Sequence, residues 1–251
     1  MDFQPLCSVI IPAYNCERFI MQSIQSALSQ TYRNLEVIVI DDCSTDSTYK
    51  CICSIRRSDS RIIALQNPHN LGVAKTRNIG FQSSSGDYIA LLDGDDLWLP
   101  NKLQLQIEQL ENTHASICCS AYDCISENGQ VLRKRFTPPN DPSFSRLLKQ
   151  NFIGCSTAVF RRTIIDLIQM HPTFFHEDYV FWLEATQAGF DITAINIPLV
   201  HYRLLNKSRS ANKFRAAYHR WRILRHFLNY SYIKSAYYLI WYMLYAVFKN
   251  I

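Results

Sequence analysis

The chain has 251 residues, 48% of them hydrophobic and 19% charged, with 7 glycines and 9 prolines. That size buries a sizeable core, and that balance excludes a disordered, fibrous or low-complexity chain. The net charge of +5 is split: residues 1–200 hold 16 Lys+Arg against 21 Asp+Glu, while residues 201–251 hold 10 Lys+Arg and no acid.

The apolar run 6–13 predicts a buried strand, and Phe19, Ile20, Ile24, Ala27 and Leu28 give helical spacing across 17–29. A second strand, 34–42, ends in acids. A helix over 46–57 follows, with Ser44, Thr45 or Asp46 as its cap. Further segments are a strand at 61–65, a helix at 72–83, a strand at 87–93 again ending in acids, and a helix at 100–113 opened by Pro100. Alternation of strand and helix predicts a parallel sheet with helices on both faces. Beyond residue 114 the pattern changes. Ser116–Tyr122 reads as a strand, and Asn128-Gly129 turns it into VLRKRF as a hairpin. A Pro-rich loop covers 136–143. A strand at 155–160, a helix at 178–188 and an extended stretch at 191–202 complete the body. The N-terminus lacks the basic n-region of a signal peptide. Nine cysteines with no CxxC pair read as reduced thiols, with neither a disulfide framework nor a zinc site.

In open α/β sheets ligands bind beyond the carboxyl ends of the strands. Two strong strands end there in acid clusters, Asp41–Asp46 and Asp93-Gly94-Asp95-Asp96. Like charges at close range repel, so such clusters call for a hard divalent cation or ligand donors. The first strand is followed by Pro12-Ala13-Tyr14-Asn15 and not by a glycine-rich phosphate loop, so phosphate charge falls to a metal and basic side chains.

SVIIPAYN (8–15), VIDDCSTDST (39–48), NLGVAKTRNIG (70–80), YIALLDGDDLWLPNKL (88–103) and HEDYVFWL (176–183) together resemble the ordered motifs of family-2 glycosyltransferases with the GT-A fold. The resemblance runs over about residues 5–212. It implies an α/β fold with a Rossmann-like nucleotide-binding half and a mixed sheet. It also implies an inverting transfer from a nucleotide sugar, most often a UDP-sugar. Pro12, Tyr14 and Asn15 are then placed beside the base, with Asp42 accepting from its ring N–H. Asn70, Gly72 and Arg77 belong to the next element, and Arg77 offers planar donors to the diphosphate or to a neighbouring carboxylate. Asp93 contacts ribose, Asp95 binds Mn²⁺ or Mg²⁺ with Asp93 beside it, and Asp96 is the customary additional acid. Glu177 and Asp178 match the catalytic acid pair, Asp178 being the general base. The family's late histidine falls at Leu205 here. His201 is the candidate substitute as metal ligand, and Arg203, Lys207, Ser208 and Ser210 are candidate phosphate contacts.

Residues 213–251 read as a unit apart from the domain at 1–212. Phe214, Ala217, Tyr218, Trp221, Leu224 and Leu228 form an apolar stripe among five basic residues, a basic amphipathic helix. Ser235–Phe248 is uncharged but too short to span a bilayer alone, and its Tyr and Trp content suits the interface. The expected partner is an anionic membrane surface, with a homodimer contact as the other use of these helices. No RNA-binding motif accompanies them, so nucleic acid is not expected. A membrane-facing tail fits a lipid-linked glycan or lipopolysaccharide acceptor at the cytoplasmic face of a bacterial inner membrane. The competing functions are a nucleotidyltransferase, whose glycine- and arginine-rich loop PAYNCERF does not supply, and a non-catalytic sugar-nucleotide-binding scaffold, which would not need every acidic motif.

Overall fold

The structure, a computed structural model, describes residues 4–205 and 213–248. Strands β1 (Cys7–Ala13), β2 (Leu35–Asp41), β3 (Ile62–Gln66) and β4 (Tyr88–Leu91) pair in parallel in the order β3-β2-β1-β4. Helices α1 (Ile20–Leu28), α2 (Thr48–Arg56) and α3 (Val73–Ser83) connect them. Side chains on a strand alternate between faces, and both faces here are covered. Val9, Ile11, Val37 and Val39 therefore pack with Ile20 and Ile24 of α1 on one side of the sheet. Ile10, Ile38 and Ile40 pack with Phe81 of α3 on the other. The α2 helix starts two residues later than the sequence pattern predicts, because the Asp46 carboxylate accepts the Thr48 N–H at 2.9 Å from outside the helix.

After β4 the chain forms a two-residue strand, β5 (Leu97–Trp98), and helix α4 (Lys102–Thr113). The expected hairpin is present as β6 (Ile117–Ile125) and β7 (Val131–Phe136), turning at Gly129 with φ +83°. A short helix, α5 (Phe144–Lys149), follows the Pro-rich loop. The strand expected from Cys155 begins instead at Ala158. Thr157 donates its N–H and its hydroxyl to the Gly154 carbonyl, which winds Cys155–Thr157 into a 3₁₀ turn before β8 (Ala158–Arg161). Helix α6 (Glu177–Gln187) and the long strand β9 (Ile192–Arg203) complete the body. The sheet is mixed and continues β4-β8-β6-β9-β5. The β4–β8, β8–β6 and β9–β5 pairs are antiparallel, and the β6–β9 pair is parallel.

The C-terminal helices pack onto this body. Helix α7 (Lys213–Arg222) runs on as a π-helical turn over Ile223–Phe227, and α8 (Tyr232–Phe248) folds back against it and against α5. Ile223 and Leu224 are fully buried in the cluster that holds Phe181 and Trp182 of α6. Arg220 is buried as well, donating to the carbonyls of Leu147 and Leu148 at 2.8 Å each and lying 3.8 Å above the Tyr179 ring. An apolar stripe cannot stay wet when a core face is within reach, so the inner side of these helices belongs to the core. No helix among the described residues is long and apolar enough to cross a membrane.

This packing has a measurable consequence. Leu224→Ala is expected to destabilise the whole protein by about 2–5 kcal/mol in denaturant unfolding followed by far-UV dichroism. A loss below 0.5 kcal/mol would show that the helices from 213 onward are not part of the cooperative fold.

Candidate active site

The ends of β1, β2 and β4 open into a cleft of about 660 Å³, closed on its other side by the segments 151–157 and 175–178 and by the end of β9. Pro12 and the half-exposed Tyr14 line it at β1, Asp42 at β2, and Asp93, Gly94 and Asp95 at β4.

The loop between β3 and α3 is fixed by the Asp42 carboxylate at the end of β2. It accepts from Asn67 Nδ2 and the Leu71 N–H on one oxygen and from the Gly72 N–H on the other, all at 2.8 Å. A carboxylate offers about four lone-pair sites, so one acceptor position is left. Gly72 stands at φ +83°, a conformation costly for side-chain-bearing residues, and from there it opens α3. Asn70 adds a bond from Nδ2 to the Asp42 carbonyl at 3.3 Å.

Helix α3 carries Arg77 into the buried floor of the cleft. Its guanidinium bonds Asp93 Oδ1 at 2.6 Å and Glu177 Oε1 at 3.0 Å. Burial alone would lower its pKa. The Cys155 thiol and the Asp93, Glu177 and Asp178 carboxylates around it more than reverse that, so it stays charged. The neighbouring Asn78 holds both main-chain groups of Met170 at 2.9 Å, which pins the segment leading into α6. Glu177 and Asp178 form the first turn of α6, where negative charge complements the helix dipole. Both line the cleft.

The three acids after β4 have three different surroundings. Asp93 has one oxygen on Arg77 and a third of its side chain exposed. Burial and the Asp93 charge push Asp95 up to about 6. Asp96 is buried, and its carboxylate accepts from Ser156 Oγ at 2.6 Å and from the Arg203 N–H at 2.9 Å. Gly94 lets the loop pass close to β1, since a Cβ there would lie 3.1 Å from Cys16 Sγ and 3.3 Å from the Pro12 carbonyl.

A metal is implied by the acid pair, and its fit can be tested on the donors. Among the described residues no group of three or more His, Cys, Asp and Glu could hold an ion alone. Asp93 and Asp95 supply two hard oxygen donors in a poorly compensated site. That is the donor set by which Mg²⁺ or Mn²⁺ is held together with substrate phosphates and water.

The model for "Glycosyl transferase family 2" matches residues 8–168. The chain belongs to this family. It is 37% identical over 247 residues to the Escherichia coli UDP-Glc:alpha-D-GlcNAc-diphosphoundecaprenol beta-1,3-glucosyltransferase WfgD, covering 98% of this chain and 95% of that one. Its fold is similar to that of S. aureus TarS residues 1–349 in complex with UDP-GlcNAc, with a TM-score of 0.74 at 20% identity over 94% of this chain and 71% of that one. It is also similar to the mannosyltransferase PcManGT from Pyrobaculum calidifontis in complex with GDP-Man and Mn²⁺, with a TM-score of 0.69 at 19% identity over 95% and 70% of the two chains. The protein is a glycosyltransferase with the GT-A fold.

In this glycosyltransferase several site residues stand otherwise than the motifs imply. His201 does not line the cleft. Strand alternation turns Tyr202 toward it and leaves His201 in a separate shallow groove with Met21, Gln25 and Trp98. Asp96 is a buried tie between β4, Ser156 and β9, not a ligand contact. Asn15, at φ +48°, does not line the cleft, and its side-chain oxygen accepts the Thr45 N–H at 2.8 Å. Arg77 follows the second of its two expected uses, pairing with the neighbouring carboxylates of Asp93 and Glu177. Arg203 reaches the cleft wall, but its guanidinium donates to the carbonyls of Asp95 at 2.7 Å and Glu127 at 2.8 Å. Lys207, Ser208 and Ser210 lie outside the described residues. Sequence reasoning missed Asn67, Ser156 and an aromatic wall. In that wall Tyr122 meets Phe136 at 5.1 Å and Tyr202 at 5.4 Å between ring centroids. Asn67 carried a signal, a polar residue just past a strand end, whereas the wall joins segments distant in sequence.

Removing Arg77 as Arg77→Met leaves two acids without their shared cation, so a stability loss of about 3–5 kcal/mol is expected. Asp95→Asn is expected to do the opposite and raise the melting temperature of the metal-free enzyme at pH 8, because it removes a charge repelled by Asp93. Calorimetry of the two variants beside the wild type checks both signs.

Proposed function

We propose that this glycosyltransferase moves a sugar from a UDP-sugar to a hydroxyl of a lipid-diphosphate-linked glycan, with inversion at the anomeric carbon. The observation that carries the reading is one cleft holding the Tyr14–Asp42 end, the Asp93–Asp95 pair and Asp178. WfgD, named for a UDP-glucose donor and a diphosphoundecaprenol-linked acceptor, supports the substrate classes.

Each step follows from a named group. The Tyr14 ring stacks on the base, and the remaining lone pair of Asp42 accepts its ring N–H. Asp93 keeps one oxygen for Arg77 and offers the other to the ribose. Asp95, with Asp93, would hold Mn²⁺ or Mg²⁺. The bound ion would supply Lewis-acid stabilisation of the leaving diphosphate. Asp178 takes the proton of the acceptor hydroxyl. That oxygen forms its bond to the anomeric carbon on the face opposite the diphosphate, the carbon–oxygen bond to UDP breaks, and UDP departs with the electron pair. Arg77 does not touch the reacting atoms. It fixes Glu177, and through it the first turn of α6 from which Asp178 acts.

The enzyme works as a peripheral protein at the cytoplasmic face of a bacterial inner membrane. On α8 Ile233, Tyr237, Ile240 and Leu244 form an exposed stripe at helical spacing, with Lys234 exposed beside it. Apolar area flanked by cations suits the headgroup region of an anionic bilayer.

Thermal-shift screening against UDP-, GDP- and dTDP-sugars with Mn²⁺ is expected to give the largest stabilisation with a UDP-sugar. Asp178→Asn is expected to keep that shift and to lose about 10²- to 10⁴-fold in transfer rate. An unchanged rate would remove Asp178 as base, and a product with the donor's anomeric configuration would overturn inversion. Cosedimentation with phosphatidylglycerol vesicles is expected for the wild type and reduced for Ile233→Glu/Ile240→Glu. Equal sedimentation of the two would dismiss this face as the membrane contact.

A further inference from the structure

Leu92 still donates its N–H to the Ile10 carbonyl at 3.1 Å, and beyond it the chain leaves the β1–β4 ladder. The acid turn Asp93–Asp96 therefore needs other partners, and one hydroxyl supplies two of them. Ser156 Oγ accepts the Asp93 N–H at 3.0 Å and donates to Asp96 Oδ2 at 2.6 Å. A serine hydroxyl has one donor and two acceptor sites, so both bonds hold at once. The entry and the exit of the turn are thus tied to a single atom from a segment 60 residues further along the chain. The turn also closes on itself, the Asp96 N–H donating to the Asp93 carbonyl at 3.1 Å. Asp95 lines the cleft between these two fixed ends, and Ser156 lines it beside them. Ser156 is itself held. It is buried, and its carbonyl accepts Trp98 Nε1 at 2.8 Å. The Trp98 ring is buried too, with Lys102 Nζ 4.1 Å from its centroid. Residues 93–98 thus brace their own acid turn by way of Ser156.

We propose that Ser156 is a positioning residue of the donor site: its hydroxyl keeps the Asp93–Asp96 turn in the shape that presents Asp93 and Asp95 together to a divalent cation, and Trp98 holds Ser156 in place. The inference rests on the reading of Asp93 and Asp95 as the cation pair. Two carboxylates at close range repel, so a turn without this brace relaxes by moving them apart. Holding them together beforehand removes that rearrangement from the binding step. Ser156 acts through the turn and not on the reacting atoms.

The test measures Mn²⁺ binding to the full chain by electron paramagnetic resonance, with UDP present and acceptor absent, so that no turnover enters. Ser156→Ala is expected to raise the Kd for Mn²⁺ by roughly 10- to 100-fold, the range for removing a group that orients a metal-binding carboxylate. Its Kd for UDP without metal is expected to stay within twofold of wild type. Trp98→Phe removes the N–H but keeps a ring beside Lys102. It is expected to raise the Mn²⁺ Kd by roughly 2- to 10-fold, the worth of one neutral hydrogen bond, and it carries the test if Ser156→Ala does not fold. Leu224→Ala, in the core beside α6, controls for lost stability alone and is expected to keep the wild-type Mn²⁺ affinity. An unchanged Mn²⁺ Kd in either site variant, an equal weakening in Leu224→Ala, or an equal loss of metal-free UDP binding each overturns the proposal. Failure of the underlying reading looks different, because wild type itself would then bind no Mn²⁺ with UDP present, and the proposal falls with it.

Discussion

The Arg77 guanidinium ties the two sides of the cleft together. It joins the end of β4, through Asp93, to the start of α6, through Glu177, which lies 100 residues away in sequence. Buried ion pairs add little net stability, because desolvation offsets most of the attraction. Their loss is costly for the same reason, since the abandoned charges remain buried. Arg77 therefore fixes geometry more than it adds stability. Asn78, next to it on α3, performs the same service on the main chain by holding both polar groups of Met170. One turn of helix thereby sets where the second half of the chain presents Asp178.

Around that contact the acids divide by how far their hydrogen-bonding capacity is met. Asp42 accepts three bonds from protein donors and Asp96 accepts one on each oxygen, and they hold loops in place. Asp93 is half committed. Asp95 is pushed up by burial and by its neighbour's charge, so the resting fold carries an unfavourable charge pair in the cleft. Strain kept at the point of function and offset by the surrounding framework is common in enzymes. Here the offset is visible in the Ser156 hydroxyl, which donates to Asp96 and accepts the Asp93 N–H at 3.0 Å.

The parallel half of the fold and its acid clusters were legible in the sequence because their signals are local. Continuous apolar runs mark buried strands, and the acids follow them directly. Helix ends shifted by a residue or two where a side chain such as Asp46 capped from outside. Signals that need tertiary contact stayed hidden. Nothing in the string HYR shows that Tyr202 faces the cleft while His201 faces a different groove, because that depends on the phase of a strand whose neighbours lie some 80 residues away at β6. Motif likeness also marks which residues recur without saying how each is spent. Asp96 and Asn15 sit in the right motifs, and their bonds go to the protein itself.

The charge split between body and tail takes on a more exact meaning once burial is considered. Ten cations against no acid suggested one broad anionic contact for residues 201–251. Two of those cations, Arg203 and Arg220, are buried and bonded to carbonyls, and the Arg225 guanidinium donates to the Tyr230 carbonyl. They organise the fold and add nothing to an external surface contact. The tail therefore has an inner face, with Ile223, Leu224 and Arg220 in the body, and an outer one, with Ile233, Tyr237 and Ile240 in solvent. A helix pair built in this way brings whatever surface it rests on close to α6. Such a surface would be bound by the same helices that support the cleft wall at Phe175, where His219 of α7 stacks on the ring.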